Sequence, residues 1–276
     1  MITKLFDSHC HFDFPAFDSD RFAVWQQALN RGVSGLFIPG VNRAQWGRAA
    51  TTVQQLRELG EGEFLYGAGL HPWWVLEWLE SVEACTLHDS LRQLSDQVRK
   101  AASSHYCCAI GEVGLDTMLP SHKAVDIDIQ RAVVVTHLQI AHELSFPVIL
   151  HCRKAHNELI QLLDDHPPKA GGILHGFTGS AELAMEYWRR GFCIGVGGSI
   201  TYPRANKTRA AIKSLPNEAL VLETDAPDMP LCGKQGERNS PEYLPLVAAA
   251  LAELRNQPIE MVADYCYQNT CRVFAV

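Results

Sequence analysis

Eight short apolar runs, most of them rich in β-branched residues, recur along the chain, each closed by a polar residue or glycine and followed by a segment with helical spacing. They cover residues 4–9, 35–39, 64–71, 107–112, 147–151, 172–175, 192–196 and 219–225. Near-continuous apolar runs of this length are the pattern of strands buried on both faces. Between them, residues 126–144 place Ile129, Val133, Ile140 and Leu144 on one helical face, and residues 241–254 do the same with Leu244, Val247, Leu251 and Leu254. Asn42 with Gln45 three positions on resembles a helix start. Eight strands alternating with helices predict an α/β protein closed as a single-domain TIM-type (β/α)8 barrel over residues 1–276, and the same alternation cut short would give an open doubly wound sheet.

Composition narrows the function classes. The chain has 276 residues, 24 Lys and Arg against 31 Asp and Glu, and a formal net charge of −7. That acidity excludes coating of nucleic acid by bulk electrostatics, which needs many basic residues on phosphates, and leaves a local site open. Asp7 interrupts the N-terminus before any apolar region forms, and the longest nearly apolar run, residues 244–252, contains Pro245. Neither a signal peptide nor a membrane span is expected, so the location expected is cytoplasmic. The nine cysteines are odd in number and form no C-x-x-C pair, which predicts reduced thiols.

The polar residues that close the runs carry the chemistry. Six of the eight runs end at or near histidine or an acid: His9 and His11, His71, Glu112, His151, His175 and Asp225. In a parallel barrel every strand ends at one face, so these residues would converge there. A single histidine at a strand end is usually a hydrogen-bonded structural residue, but His9-Cys10-His11 sets two imidazoles on one side of a strand. Four histidines and two carboxylates exceed one tetrahedral ion and suit two. The expected assignment is His9, His11 and Asp225 on one divalent ion, His151 and His175 on the other, and Glu112 spanning both. Two such ions activate a shared water for hydrolysis, with Asp225 as the residue that accepts or shuttles its proton and Glu112 as the other catalytic carboxylate.

In order along the chain, His9-x-His11, Gly111-Glu112-Val113-Gly114-Leu115-Asp116, His151-Cys152-Arg153, His175-Gly176-Phe177-Thr178-Gly179 and Glu223-Thr224-Asp225-Ala226-Pro227 resemble the motifs of the TatD family of metal-dependent hydrolases, within the wider amidohydrolase group. Gly69-Leu70-His71-Pro72, the segment from Gly195 to Pro203 and Asn239-Ser240-Pro241 are similar to further family elements, whereas Thr117 and Gly176 depart from the usual pattern. The resemblance spans essentially the whole chain. It implies a TIM-type barrel, two divalent metals and Mg-dependent DNase activity that removes nucleotides from 3′ ends. Four imidazoles favour Zn by ligand type, whereas the resemblance implies Mg, so Mg, Mn and Zn all stand as candidates.

Around these motifs, His71 is read as a phosphate donor, Arg153 as a phosphate contact against an ion pair with a neighbouring acid, and Arg204 and Lys207 as backbone contacts against solvated loop charges. Trp73, Trp74 and Trp78 offer faces for unpaired bases or are packing. The partner expected is a DNA end or a small phosphoester, with no membrane and no obligatory protein partner. Two other readings keep the same residues: a binuclear hydrolase of a small amide, ester or phosphoester, and a non-catalytic metal-binding protein.

Overall fold

The computed structural model describes residues 4–60 and 62–276. All eight apolar runs contain strands: β1 Leu5–Asp7, β2 Val33–Ile38, β3 Glu63–Ala68, β4 Cys107–Asp116, β5 Val148–Arg153, β6 Gly172–Leu174, β7 Phe192–Val196 and β8 Leu220–Leu222. Among the described residues ten α-helices separate and follow them: α1 Arg21–Asn30, α2 Arg43–Glu58, α3 Val75–Ser81, α4 Leu87–Ala102, α5 Ile127–Leu144, α6 His156–Asp165, α7 Ala181–Arg189, α8 Asn206–Ser214, α9 Leu244–Arg255 and α10 Ile259–Phe274. The strands hydrogen-bond in chain order as one sheet. The ladders β1–β2, β3–β4, β4–β5 and β7–β8 are parallel. Just past β1, the Ser8 N–H donates to the Leu222 carbonyl of β8 at 2.9 Å, which joins the last strand to the first. This is the TIM-type (β/α)8 arrangement. Among the described residues no helix is long and apolar enough to cross a membrane, and the nine cysteines form no disulfide.

Two predicted boundaries move. The segment from residue 241 does not run as one helix: Pro241–Tyr243 is a single 3₁₀ turn and α9 begins at Leu244. Pro245 explains this, because proline lacks the N–H and clashes with the carbonyl four residues back, and so is tolerated only in a first turn. Strand β4 continues past Glu112 to Asp116, still paired with β5 as Gly114 with His151 and Asp116 with Arg153. Gly114 permits that close pairing, since a Cβ there would stand 1.7 Å from the His151 carbonyl oxygen.

The chain forms two compact units. One comprises residues 4–38, 52–65 and 174–276. Its core is aromatic: the Phe37 ring stacks on Phe274 of α10 with centroids 4.5 Å apart, and Trp25 of α1 meets Phe64 edge-on at 4.6 Å. Such pairs add directional preference to a burial term of about 1.5–3 kcal/mol per large side chain.

The other unit comprises residues 39–51 and 66–173. Asn42 caps α2 as expected, its side chain accepting from the Gln45 N–H at 2.9 Å, while the Gln45 side chain accepts from the Val41 N–H at 3.0 Å. Helix α5 buries His137 completely. Its Nδ1 lies 2.7 Å from the Val133 carbonyl, which can only accept, so Nδ1 carries the proton and Nε2 accepts from the Leu70 N–H at 3.2 Å. Burial pushes the His137 imidazole down to about 4.

The unfolded chain therefore takes up this proton first as pH falls. The neutral histidine's stabilising contribution is present above pH 6.5 and is lost between about 6.5 and 4, up to about 3 kcal/mol in all. His137→Leu leaves the Leu70 N–H buried without its acceptor and is expected to cost about 1–3 kcal/mol at pH 7. Urea unfolding of both proteins between pH 7 and 4.5 checks this. The gap between wild type and variant should narrow as the pH falls, and a gap independent of pH would refute the assignment.

Candidate metal centre

The first group of functional side chains is built by β1, β6, β8 and the segments that follow them. Asp7 ends β1, and the two residues two and four positions on, His9 and His11, are tied by their backbones to the chain after β8. Asp225 N–H donates to the His9 carbonyl at 2.9 Å and His11 N–H to the Ala226 carbonyl at 2.8 Å. The pinned backbones bring both imidazoles to one carboxylate. His9 Nε2 and His11 Nε2 each lie 3.5 Å from Asp225 Oδ1. The two rings meet edge to face at 5.1 Å, and His175 stacks on His9 at 3.9 Å with the planes 7° apart. Asp225 holds a left-handed φ of 58°, a conformation that Asp and Asn tolerate better than most residues.

Two buried acids support this group. Asp7 accepts from the Thr224 N–H at 3.0 Å and from the Thr224 hydroxyl at 2.6 Å, and from the His9 N–H at 3.3 Å. One carboxylate thus fixes the residue before Asp225 and the backbone of His9. Burial pushes Asp7 up to about 7 against those hydrogen bonds. Glu223 accepts from the Gly176 N–H at 2.6 Å, and burial pushes it up to about 8 although His175 favours its charged form. Gly195 of β7 makes room for it, since a Cβ there would stand 2.1 Å from Glu223 Oε2. Burial opposes ionisation of Asp225 as well, but the hydrogen bond from His11 and the fields of His175 and His9 outweigh it and hold this carboxyl below its ordinary value.

The second group stands on β4, β5 and the loop after β3. Pairing of β4 with β5 shifts between Gly111 and Val113, opposite Ile149 and Leu150, so Glu112 is the extra residue of a bulge. Bulges re-aim a side chain that a regular ladder would direct elsewhere. The Glu112 N–H is taken by the Gly40 carbonyl at 2.6 Å, and Gly69 packs so closely that a Cβ would be 2.4 Å from the Gly111 Cα. Glu112 Oε1 then lies 3.2 Å from both His71 Nε2 and His151 Nδ1. His151 also faces Asp116, whose Oδ2 is 3.4 Å from its Nε2. Burial would raise Asp116, but His151, the Met118 N–H and Arg153 together hold it below the usual carboxylate value. His71 Nδ1 accepts from the Trp73 N–H at 3.0 Å, so its proton sits on Nε2, which makes it a donor there.

Of the remaining predicted contacts, Arg153 is exposed at the end of β5 and contributes to the field at Asp116. Arg204 is exposed over the Tyr202 ring at 5.3 Å, and Lys207 is exposed near Glu182 of α7. Neither makes a hydrogen bond or ion pair with the carboxylates and imidazoles above, among the described residues. Trp78 is buried and Trp73 exposed. Asp7, Glu223 and Asp116 were not singled out from sequence. A signal existed in the two-residue strand period, because Asp7 precedes His9 by two positions, Glu223 precedes Asp225 by two, and Asp116 shares the Glu112 parity on β4.

The donor sets fit a divalent cation. His9, His11 and Asp225 offer ligand atoms all within 4.8 Å of one another, and Glu112 and His151 offer theirs within the same distance, with His71 beside them. Mixed imidazole and carboxylate donors suit first-row divalent ions and tolerate Mg. The family model described as TatD related DNase matches residues 6–275. The chain belongs to the TatD-related DNase family. It is a metal-dependent hydrolase of that family. This TatD-family chain is 38% identical over 277 residues to the uncharacterized metal-dependent hydrolase YjjV of Escherichia coli K12, with 100% of both sequences covered. The crystal structure of that TatD homologue matches with a TM-score of 0.85 and 37% identity, covering 100% of each chain. The 3′-5′ ssDNA/RNA exonuclease TatD of Pantoea ananatis is 31% identical, over 99% of this chain and 100% of its own length.

Proposed function

We propose that this TatD-family enzyme hydrolyses phosphodiester bonds at the ends of single-stranded nucleic acid, with a divalent cation, Mg or Mn, on each of the two groups. The observation that carries the reading is the pair of imidazoles set 3.5 Å from one ionised carboxylate oxygen of Asp225. It is supported by an exonuclease relative that matches 99% of the chain.

His9, His11, His175 and Asp225 would hold one ion, and Glu112 and His151 the other. Bound divalent cations lower the pKa of water and neutralise charge on phosphate oxygens. The chain supplies the rest. Asp225 accepts the proton of the attacking water, and Asp7 with Thr224 fixes the backbone on which Asp225 stands. His71 presents its Nε2–H to a non-bridging phosphate oxygen, a role its Nδ1 contact with Trp73 prepares. Arg153, exposed at the end of β5, adds a charged donor for the same phosphate. Arg204 and Lys207 are the cations available to phosphates further along the strand.

A 5′-labelled oligonucleotide incubated with Mg or Mn tests the reading. The products should shorten from the 3′ end, with single strands favoured over a blunt duplex by about tenfold, the cost of opening one terminal base step. An oligonucleotide that stays intact while a small phosphoester or amide is turned over would move the substrate to a small molecule.

A further inference from the structure

Asp116 closes β4, is 4% exposed, and has every polar group spoken for. One amide, that of the buried Gln130 on α5, takes both of its backbone groups. The Asp116 N–H donates to Gln130 Oε1 at 2.9 Å, and Gln130 Nε2 donates to the Asp116 carbonyl at 3.1 Å and to the Val125 carbonyl at 3.3 Å. The two carboxylate oxygens then divide. Oδ1 accepts from the Met118 N–H at 2.7 Å, and Oδ2 stands 3.4 Å from Nε2 of His151.

A carboxylate can only accept, and a neutral imidazole carries one proton, so the contact with Oδ2 puts that proton on Nε2 of His151 and leaves the lone pair on Nδ1. Nδ1 is the atom that lies 3.2 Å from Glu112 Oε1. Two lone pairs facing each other repel, yet their separation is that of two atoms bound to one ion at about 2.0–2.2 Å each. The opposite tautomer would donate Nδ1–H to Glu112 and offer no ligand atom on that side. An imidazole has little preference of its own between the two, so the group on the far side of the ring decides.

We propose that Asp116 is a positioning residue that fixes the His151 tautomer, so that Nδ1 presents its lone pair to a cation shared with Glu112. The proposal rests on the reading of Glu112 and His151 as metal ligands and deepens it. Asparagine at position 116 cannot serve both donors. With its carbonyl oxygen kept on the Met118 N–H, its own amide N–H points at His151 Nε2, which must then accept, and the imidazole proton moves to Nδ1. Turned the other way, the amide sets its N–H against that of Met118. The substitution keeps the shape of the side chain and the Gln130 contacts with the backbone, and it reverses one hydrogen bond.

The tautomer is read in chelator from proton–nitrogen correlations of histidine-labelled protein, with His151→Gln identifying the signal. Wild type should show Nε2–H, and Asp116→Asn should show Nδ1–H. In isothermal titration with Mn, Asp116→Asn should weaken one binding event by about 10- to 100-fold. Asp116→Ala removes the acceptor without supplying a donor, so it should lose less Mn affinity than Asp116→Asn although it changes the packing more. If the alanine variant fails to fold, the asparagine variant and its tautomer carry the test. The same tautomer in wild type and Asp116→Asn, an Mn affinity that asparagine leaves unmoved, or a larger loss with alanine overturns the proposal, and with Mn bound by wild type the metal reading stands. A wild type that takes up no Mn at millimolar concentration overturns the metal reading and this role with it.

Discussion

Asp225→Asn is expected to lower kcat on single-stranded DNA by about 10³-fold at saturating metal, within the range attributed to a positioned general base. The substitution keeps the volume and one carbonyl oxygen, so the contact of His9 and His11 with that side chain, 3.5 Å in the wild type, survives in outline. It also keeps the fold, because asparagine tolerates the left-handed φ of 58° found there, and the backbone N–H that donates to the His9 carbonyl is unchanged. What is lost is the negative charge and the capacity to accept a proton. Single-turnover cleavage with Mn raised until the rate no longer responds separates this from weakened metal binding. Activity within tenfold of wild type under that condition would remove Asp225 as the proton acceptor.

Glu112→Gln should weaken Mn binding and lower kcat/KM, each by about 10²-fold, because a neutral amide is a poor ligand for a hard cation and exchanges an acceptor for a donor. The second effect has the opposite sign. Glu112 is 1% exposed and faces His71 and His151 at 3.2 Å. Without metal, a buried carboxylate carries a desolvation cost that the amide avoids, so the chelated variant should melt higher than the chelated wild type. Isothermal titration with Mn and thermal melts in chelator read the two effects separately. Unchanged Mn affinity would place Glu112 outside the ligand set, whatever the melting temperature does.

His151 shows how far sequence reading reached. It closes an apolar run, which marked it as a strand-end polar residue, and the structure places it on β5 two residues before the strand ends at Arg153. Sequence reasoning set Glu112 beside it, and Glu112 Oε1 lies 3.2 Å from its Nδ1, but Asp116, 3.4 Å from its Nε2, was not read as a neighbour. The bulge that aims Glu112 depends on how β4 registers against β5, and no local pattern of hydrophobic residues encodes a one-residue insertion in a ladder. The glycines that allow it, Gly40, Gly69 and Gly111, were visible as residues but not as places where backbones touch.

Asp7 marks the other boundary. It was read only as an acid that interrupts the N-terminus, yet its carboxylate receives the Thr224 hydroxyl from 217 positions away. The chain's alternation of doubly buried apolar runs with amphipathic segments determined by itself that eight parallel strands would form, because a strand covered on both faces has no other composition available. It also determined which strand ends carry imidazoles and carboxylates, since a polar residue closing such a run is conspicuous. Only the tertiary structure decided which of those side chains meet. That choice is set by strand register, by the backbone hydrogen bonds between the segments after β1 and β8, and by glycine-permitted close approaches, all of them relations between residues far apart in the chain.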